Sequence, residues 1–206
     1  MQQPPLPAPT APLPTAGIAG SKVPILPFTL VAAEDTLGWT TVLADHKAVL
    51  ASADSVLGTL LRARAPEVIW VSPDELRRQA RRAPAFATNP DQMGTSLLRA
   101  EQFLNVPDPL RGELRTLVAL AEARYALIPA ALVYRRTIPA PPASQPDGSP
   151  AGRPSSVEAG ATAELSIVLV DARLGKVGWR TVARGAGSDP WTALTRAVKA
   201  LTPGLP

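Results

Sequence analysis

Side chains that could carry out catalysis are few in this 206-residue chain, which has one histidine, His46, and no cysteine. The lack of cysteine excludes thiol catalysis, disulfides and thiolate metal ligands. His46 lies where a helix is predicted to begin, and a lone histidine there is typical of a solvated surface rather than of a general base. Glu34 and Asp35 are adjacent in a predicted loop, where neighbouring carboxylates rarely converge on one substrate. We therefore expect a protein that is not an enzyme, with no catalytic residue, no cofactor site and no metal site.

The most concentrated group of charged side chains consists of four arginines: Arg77, Arg78, Arg81 and Arg82. Guanidinium groups bind phosphates and carboxylates, and a position in the last turns of a helix also places these cations favourably against the helix dipole. Trp39 lies between Gly38 and Thr40 in a predicted loop, and an exposed tryptophan often anchors a protein interface. Trp39 and the four arginines are therefore our candidate partner contacts.

The stretch 163–182 predicts a β-hairpin around which the rest of the chain is organised. Residues 165–170 are almost continuously apolar and rich in β-branched side chains, which indicates a strand covered on both faces. Residues 171–176 provide the turn, in which Gly175 can adopt a positive φ. The second strand alternates, and three of its side chains should share one face: Val177, Trp179 and Thr181. We expect Trp179 to be buried on that face beneath the amphipathic helices.

The other elements follow from hydrophobic periodicity and from capping residues. An apolar stripe predicts a helix over 45–63, and Ser72-Pro73 followed by Glu75 is a capping box that begins a second helix. Apolar runs predict strands over 23–28 and 126–134 and a short buried strand over 68–71. Three further pairs are expected to begin helices: Asn89-Pro90, Asp108-Pro109 and Asp189-Pro190. The last two pairs open helices predicted over 109–124 and 190–201.

Proline is abundant, with 24 residues, and many of them fall in two short segments. Residues 1–20 and 137–160 combine proline with small side chains and lack hydrophobic periodicity, so we predict a disordered tail and a flexible insertion. The remainder, 21–206, is expected to fold as a single α/β domain. Its core should be a mixed sheet of about five strands with helices packed against it.

The charge and hydropathy of the chain limit the classes of partner that we expect it to bind. The net charge of +4 is spread along the chain, whereas a nucleic-acid-binding protein concentrates its basic residues on one face. No apolar run reaches the roughly 20 residues that a membrane-spanning helix needs. We therefore expect a protein partner, no nucleic acid and no transmembrane segment.

Three parts of the sequence carry a resemblance to a known family. A first strand ends in Leu26-Pro27-Phe28, a helix leads into a strand between Ala123 and Ile128, and the hairpin runs from Leu169 to Trp179. The hairpin reads Leu-Val-Asp-Ala, two further residues, glycine and, after three more, tryptophan. This order of elements resembles the amino-terminal domain of TolB and the related domain of CsgG-like bacterial envelope proteins. The resemblance implies a non-enzymatic, envelope-located domain that serves as an interaction module.

We therefore predict a non-enzymatic interaction module of the bacterial periplasm or envelope, in one version an accessory subunit docked on the periplasmic face of a membrane protein complex. Gln2-Gln3-Pro4-Pro5 resembles the start of a mature secreted chain, which favours a removed signal peptide, whereas a native start at Met1 favours the cytoplasm. Two alternatives remain open: an enzyme whose site is not recognisable in the sequence, and a cytoplasmic nucleic-acid-binding protein that uses its arginine-rich helix. The nucleic-acid alternative requires a common face for the arginines at 62, 64, 77, 78, 81 and 82.

Overall fold

The structure is a computed structural model that describes residues 17–100, 102–137 and 160–201. Of the two segments predicted to be disordered or flexible, 1–20 and 137–160, residues 1–16 and 138–159 fall outside the described residues. Within them the chain forms strands and α-helices in this order: β1 (Lys22–Pro24), β2 (Val31–Ala33), α1 (His46–Arg64), β3 (Ile69–Val71), α2 (Pro73–Arg82), α3 (Leu110–Leu120), β4 (Tyr125–Arg136), β5 (Ala161–Asp171), β6 (Lys176–Gly187) and α4 (Pro190–Ala200).

The main sheet is mixed and has four strands in the order β2-β4-β5-β6. β5 pairs antiparallel with β4 and β6, and β2 pairs in parallel with the second half of β4. β1 and β3 form a separate parallel pair. The two sheets meet where Ile25 bridges Leu127 and where the N–H of Leu26 donates to the Leu127 carbonyl at 2.9 Å. The predicted α/β fold with a mixed sheet is confirmed.

β5 is the central strand, and it is buried on both faces as its composition predicted. Leu165, Ile167 and Leu169 belong to the first core, which α1 and α4 cover. Val168 and Val170 belong to the second core on the opposite face, which α2, α3 and the 3-10 turn Thr95–Arg99 cover. The sheet therefore separates two layers of helices, and each layer is anchored on one side of the same strand.

A β-bulge in β6 changes which side chains share a face. Val170 pairs with Val177 and Leu169 pairs with Trp179, so Gly178 is an extra residue with no partner of its own. Val177 consequently packs against the second core and Trp179 against the first. The prediction that these two side chains share a face is wrong, and Trp179 is half-buried rather than buried.

A second bulge lies in β4, directly after Pro129. Pro129 pairs with Ile167 and Ala131 with Ser166, which leaves Ala130 extra. Ile128 and Leu132 would share one face of a regular strand, because side chains alternate and both residues have even numbers. The bulge between them instead places Ile128 in the second core and Leu132 in the first. Proline has no N–H to donate to a strand ladder, and bulges are among the positions where a sheet tolerates it.

Three of the predicted helix starts are confirmed by their hydrogen bonds. The Asp45 carboxylate accepts the N–H of Ala48 at 3.0 Å, at the start of α1. Ser72 Oγ accepts the N–H of Glu75 at 3.3 Å, at the start of α2. The Asp189 carboxylate caps α4 by accepting two backbone N–H groups. These side chains satisfy donors that a helix cannot satisfy internally.

The other local predictions need correction. Asp108 does not cap a helix, and α3 begins at Leu110 and ends at Leu120 rather than near residue 124. Asn89-Pro90 opens only the three-residue 3-10 turn Pro90–Gln92. The short strand β3 exists, but it is not buried as predicted, because the side chain of Ile69 is 53% exposed.

Two glycines in β6 allow α4 to lie directly on the sheet. A Cβ at Gly185 would come within 2.1 Å of the Ala197 nitrogen and 2.4 Å of the Ala193 carbonyl oxygen. A Cβ at Gly187 would lie 2.5 Å from the Ala193 nitrogen. Since these atoms belong to the backbone of a helix, they cannot move aside as a flexible side chain could.

We predict that Gly185→Ala destabilises the protein by about 3 kcal/mol, at the upper end of the usual cost of overpacking a core. The matched control is Gly178→Ala in the same strand, because its nearest atom, the Leu169 carbonyl oxygen, lies at an ordinary 3.7 Å. Urea denaturation followed by circular dichroism should show a lower midpoint for Gly185→Ala and a nearly unchanged one for Gly178→Ala. Equal midpoints would show that α4 does not rest on this strand.

Candidate functional site

Arg77 is turned inward from α2 and binds three carboxylates. Its Nη2 donates to Asp54 Oδ2 at 2.8 Å and its Nη1 to Asp74 Oδ1 at 2.8 Å. Nε and Nη2 together hold Asp91, with the shortest contact at 2.7 Å. Burial disfavours the cation, but the hydrogen bonds to Asp91 and Asp54 hold the pKa of Arg77 above its usual range. With 18% of its side chain exposed, Arg77 joins parts of the fold and is not free for a partner.

Asp54 is the buried end of this network, at 5% exposure in the middle of α1. Its Oδ1 accepts the N–H of Phe28 at 2.8 Å. Burial raises the pKa of Asp54 to about 6, because Arg77 divides its charge among three carboxylates and offsets only part of the lost hydration. Asp54 was not among the residues predicted from the sequence to be functional. The available signal was a carboxylate within the apolar stripe of α1, next to Ala53 and one turn from Leu57.

The other α2 arginines lie on the surface. Arg78 pairs with Glu75 one turn earlier and lowers the pKa of that carboxyl. Arg81 and Arg82 are exposed and make no ion pair within the part of the chain that the structure describes. Arg81 also lines a cavity of about 330 Å³ between α2 and the segment 84–91.

Phe86 lies in the turn after α2 and is 79% exposed. The turn is closed by the N–H of Phe86 donating to the Ala83 carbonyl at 3.0 Å. Phe86 thus follows Arg82 by four residues, and we call Arg81, Arg82 and Phe86 the arginine–phenylalanine surface. Phe86 was not among the contacts predicted from the sequence, although a large aromatic side chain in a segment without hydrophobic periodicity was the signal available.

Trp39 lies in a loop, as predicted, but its ring takes part in packing. It contacts Tyr134 edge-to-face with 5.4 Å between ring centroids, and it is half-buried against the first core. With Glu34, Asp35 and His46 it lines a cavity of about 250 Å³. In the sequence, each of these residues was considered separately, Trp39 as a partner contact and the other three for catalysis. Glu34, however, is held by Arg135 and by the backbone N–H of Arg136.

The structure does not bring the candidate contacts together on one surface. Trp39 packs with the first core, whereas α2 packs with the second core through Leu76 and Ala80. Two of the arginines that a nucleic-acid interface would need are already engaged within the chain. Arg77 is engaged by carboxylates, and Arg64 donates to the Lys199 carbonyl at 2.6 Å.

Within residues 17–100, 102–137 and 160–201, no helix is long and apolar enough to cross a membrane. The same residues contain no group of three or more histidine, cysteine, aspartate or glutamate side chains placed to hold a metal ion.

No protein-family model matches this chain, and no curated protein matches it. Among solved structures, it is similar to the PelC dodecamer from Paraburkholderia phytofirmans, at 17% identity and a TM-score of 0.42, over 89% of this chain and 88% of that one. A second structure, a PelC dodecamer from the same organism with one leucine replaced by methionine, is similar at 17% identity and a TM-score of 0.40, over 89% and 87%. These values are too low to support a statement on function.

We predict a pH-dependent contribution of Asp54 to stability. Its pKa of about 6 in the folded chain lies above the value of about 3.9 in an unfolded chain. The stabilisation that the protonated Asp54 side chain contributes is therefore complete below about pH 4, and it is lost as the pH rises through about 6. Each unit of difference between the folded and unfolded pKa corresponds to about 1.4 kcal/mol. The free energy of unfolding of the wild type minus that of Asp54→Asn should fall over this range and remain level above it.

The control is Asp74→Asn, which removes a carboxylate from the same guanidinium at a site that is 79% exposed. Urea denaturation at a series of pH values measures both differences. A difference for Asp54→Asn that stays level or rises between about pH 4 and pH 6 would contradict the raised pKa.

Proposed function

We propose that this protein is a non-enzymatic interaction module of the bacterial cell envelope, which binds the acidic surface of a protein partner through Arg81, Arg82 and Phe86. The observation that carries the proposal is Phe86, 79% exposed, in the turn that directly follows the two exposed arginines. Large aromatics and arginines are enriched at protein interfaces relative to the remaining surface.

The charge of this surface favours a partner that presents carboxylates. The α2 acids are already engaged, since Asp74 binds Arg77 and Glu75 binds Arg78. Asp91, on the adjoining segment, also binds Arg77. Arg81 and Arg82 therefore contribute uncompensated positive charge, which carboxylates from outside the chain can neutralise through paired N–H···O bonds.

The proposed location in the envelope rests on the hairpin that resembles the TolB and CsgG-like domains. In the turn of this hairpin, Gly175 has a φ of 68°, the positive value that glycine adopts readily. Asp171 fixes the turn by accepting the N–H of Leu174 at 3.0 Å. A domain of this kind, docked on a membrane protein complex from the periplasmic side, is the version of the proposal that we favour.

We predict that a photo-crosslinking amino acid at position 86 captures a specific partner in living cells. The same amino acid at position 104 is the matched control, since Leu104 is comparably exposed at 74% and lies outside α2 and its following turn. Mass spectrometry of the crosslinked product identifies the partner. A product that forms at position 104 and not at position 86 would refute the assigned surface.

With the partner in hand, Arg81→Glu/Arg82→Glu should weaken binding by at least about tenfold, because interface arginines often contribute 2 kcal/mol or more. Biolayer interferometry at two salt concentrations should also show weaker binding at higher salt. The charge-matched control is Arg62→Glu/Arg99→Glu, which changes two exposed arginines on α1 and on the 3-10 turn. Equal losses in both double variants would mean that net charge, and not this surface, governs binding.

A further inference from the structure

A second group of arginines lines a cavity between α3 and the turn of the β5–β6 hairpin. The cavity has a volume of about 320 Å³. Its charged lining consists of three arginines from three different segments: Arg115, Arg124 and Arg173. The rest of the lining is apolar: Val118, Ala119, Ala123 and Ala172. Three cations thus line a cavity together with these four apolar residues, which we call the apolar floor.

One carboxylate, Asp171, lies next to this group, and it is engaged by Arg124 at 2.7 Å. Burial works against the charged carboxylate, but the hydrogen bonds from Arg124 and from backbone N–H groups hold the pKa of Asp171 below its usual range. Asp171 therefore neutralises Arg124. Arg115 and Arg173 make no ion pair in the described parts of the chain, so two positive charges in excess face a single cavity.

The arginines are held on a rigid frame. Arg111, one turn before Arg115 on α3, packs over Gly175, where an added Cβ would lie 2.5 Å from the Arg111 Nε. Its Nη2 also donates to the Leu174 carbonyl at 3.4 Å. Within the turn, the N–H of Gly175 donates to the Asp171 carbonyl at 2.8 Å. The helix and the turn that carry Arg115 and Arg173 are therefore fixed relative to each other before any ligand binds.

We propose that this cavity binds a phosphate group, carried either by a small molecule or by a lipid headgroup. Guanidinium groups match the oxygens of a phosphate with paired N–H donors. Two uncompensated cations match the charge of a phosphate monoester, close to −2 at neutral pH, better than that of a single carboxylate. The volume lies at the lower end of the range for small-molecule sites, and the apolar floor accommodates the carbon atoms attached to the phosphate.

Isothermal titration calorimetry on the full chain at low salt tests the site with inorganic phosphate and with glycerol 3-phosphate. Vesicle co-sedimentation tests the lipid source, with phosphatidic acid, whose headgroup is a phosphate monoester, in phosphatidylcholine against phosphatidylcholine alone. Arg115→Gln/Arg173→Gln should weaken binding of the phosphate probe at least about tenfold and leaves the Arg124–Asp171 pair in place. Arg62→Gln/Arg99→Gln, with the same loss of charge on other elements, should bind as the wild type does.

Circular dichroism confirms that both double variants are folded. Binding of the soluble phosphates supports a small-molecule ligand, and binding confined to vesicles that contain phosphatidic acid supports a lipid headgroup. The proposal is overturned if no phosphate probe binds, if both double variants lose binding equally, or if a polyglutamate peptide binds more tightly than every phosphate probe.

Discussion

The two-sided burial of β5 is the constraint on which the rest of the fold depends. Successive side chains of a strand point to opposite faces, so an apolar run such as Leu165–Val170 needs cover on both sides. Helices α1 and α4 provide it on one face, and α2 and α3 provide it on the other. Each layer of helices therefore packs on the same strand, and hydrophobic burial in the two cores is coupled through β5.

The ion pair of Asp54 with Arg77 adds a polar connection between these two layers. Asp54 belongs to α1 in the first layer, and Arg77 belongs to α2 in the second. The same carboxylate also accepts the N–H of Phe28, in the segment that follows the contact between the two sheets. Breaking a buried pair leaves an uncompensated charge, which is strongly destabilising. The network thus restricts how the layers can shift against each other, in addition to the non-directional hydrophobic contacts.

Local patterns in the sequence predicted much of this fold, because hairpins and helix caps depend on residues close together in the chain. The β5–β6 turn and the caps at Asp45, Ser72 and Asp189 are of this kind. The bulge at Gly178 was not predictable from alternation, since one extra residue exchanges the faces of Val177 and Trp179. For the candidate site, the sequence identified the four arginines on α2, but it did not show which of them are already bound by carboxylates of the same chain. Asp54 and Asp91 lie 23 and 14 residues from Arg77 in the chain, and only the tertiary fold brings them to it.

The arginines of the two proposed surfaces differ from their neighbours Arg77 and Arg124 in having no carboxylate within ion-pair distance among the described residues. Arg77 has three and Arg124 has one, and both of these arginines stabilise the fold. Arg81, Arg82, Arg115 and Arg173 have no ion-pair partner among the described residues, although they lie on the same or adjoining elements. A ligand that binds a paired arginine must first displace a carboxylate, whereas an unpaired arginine loses only water. We therefore propose as binding surfaces the two places where unpaired arginines adjoin apolar side chains: Phe86 after the end of α2, and the apolar floor between α3 and the hairpin turn.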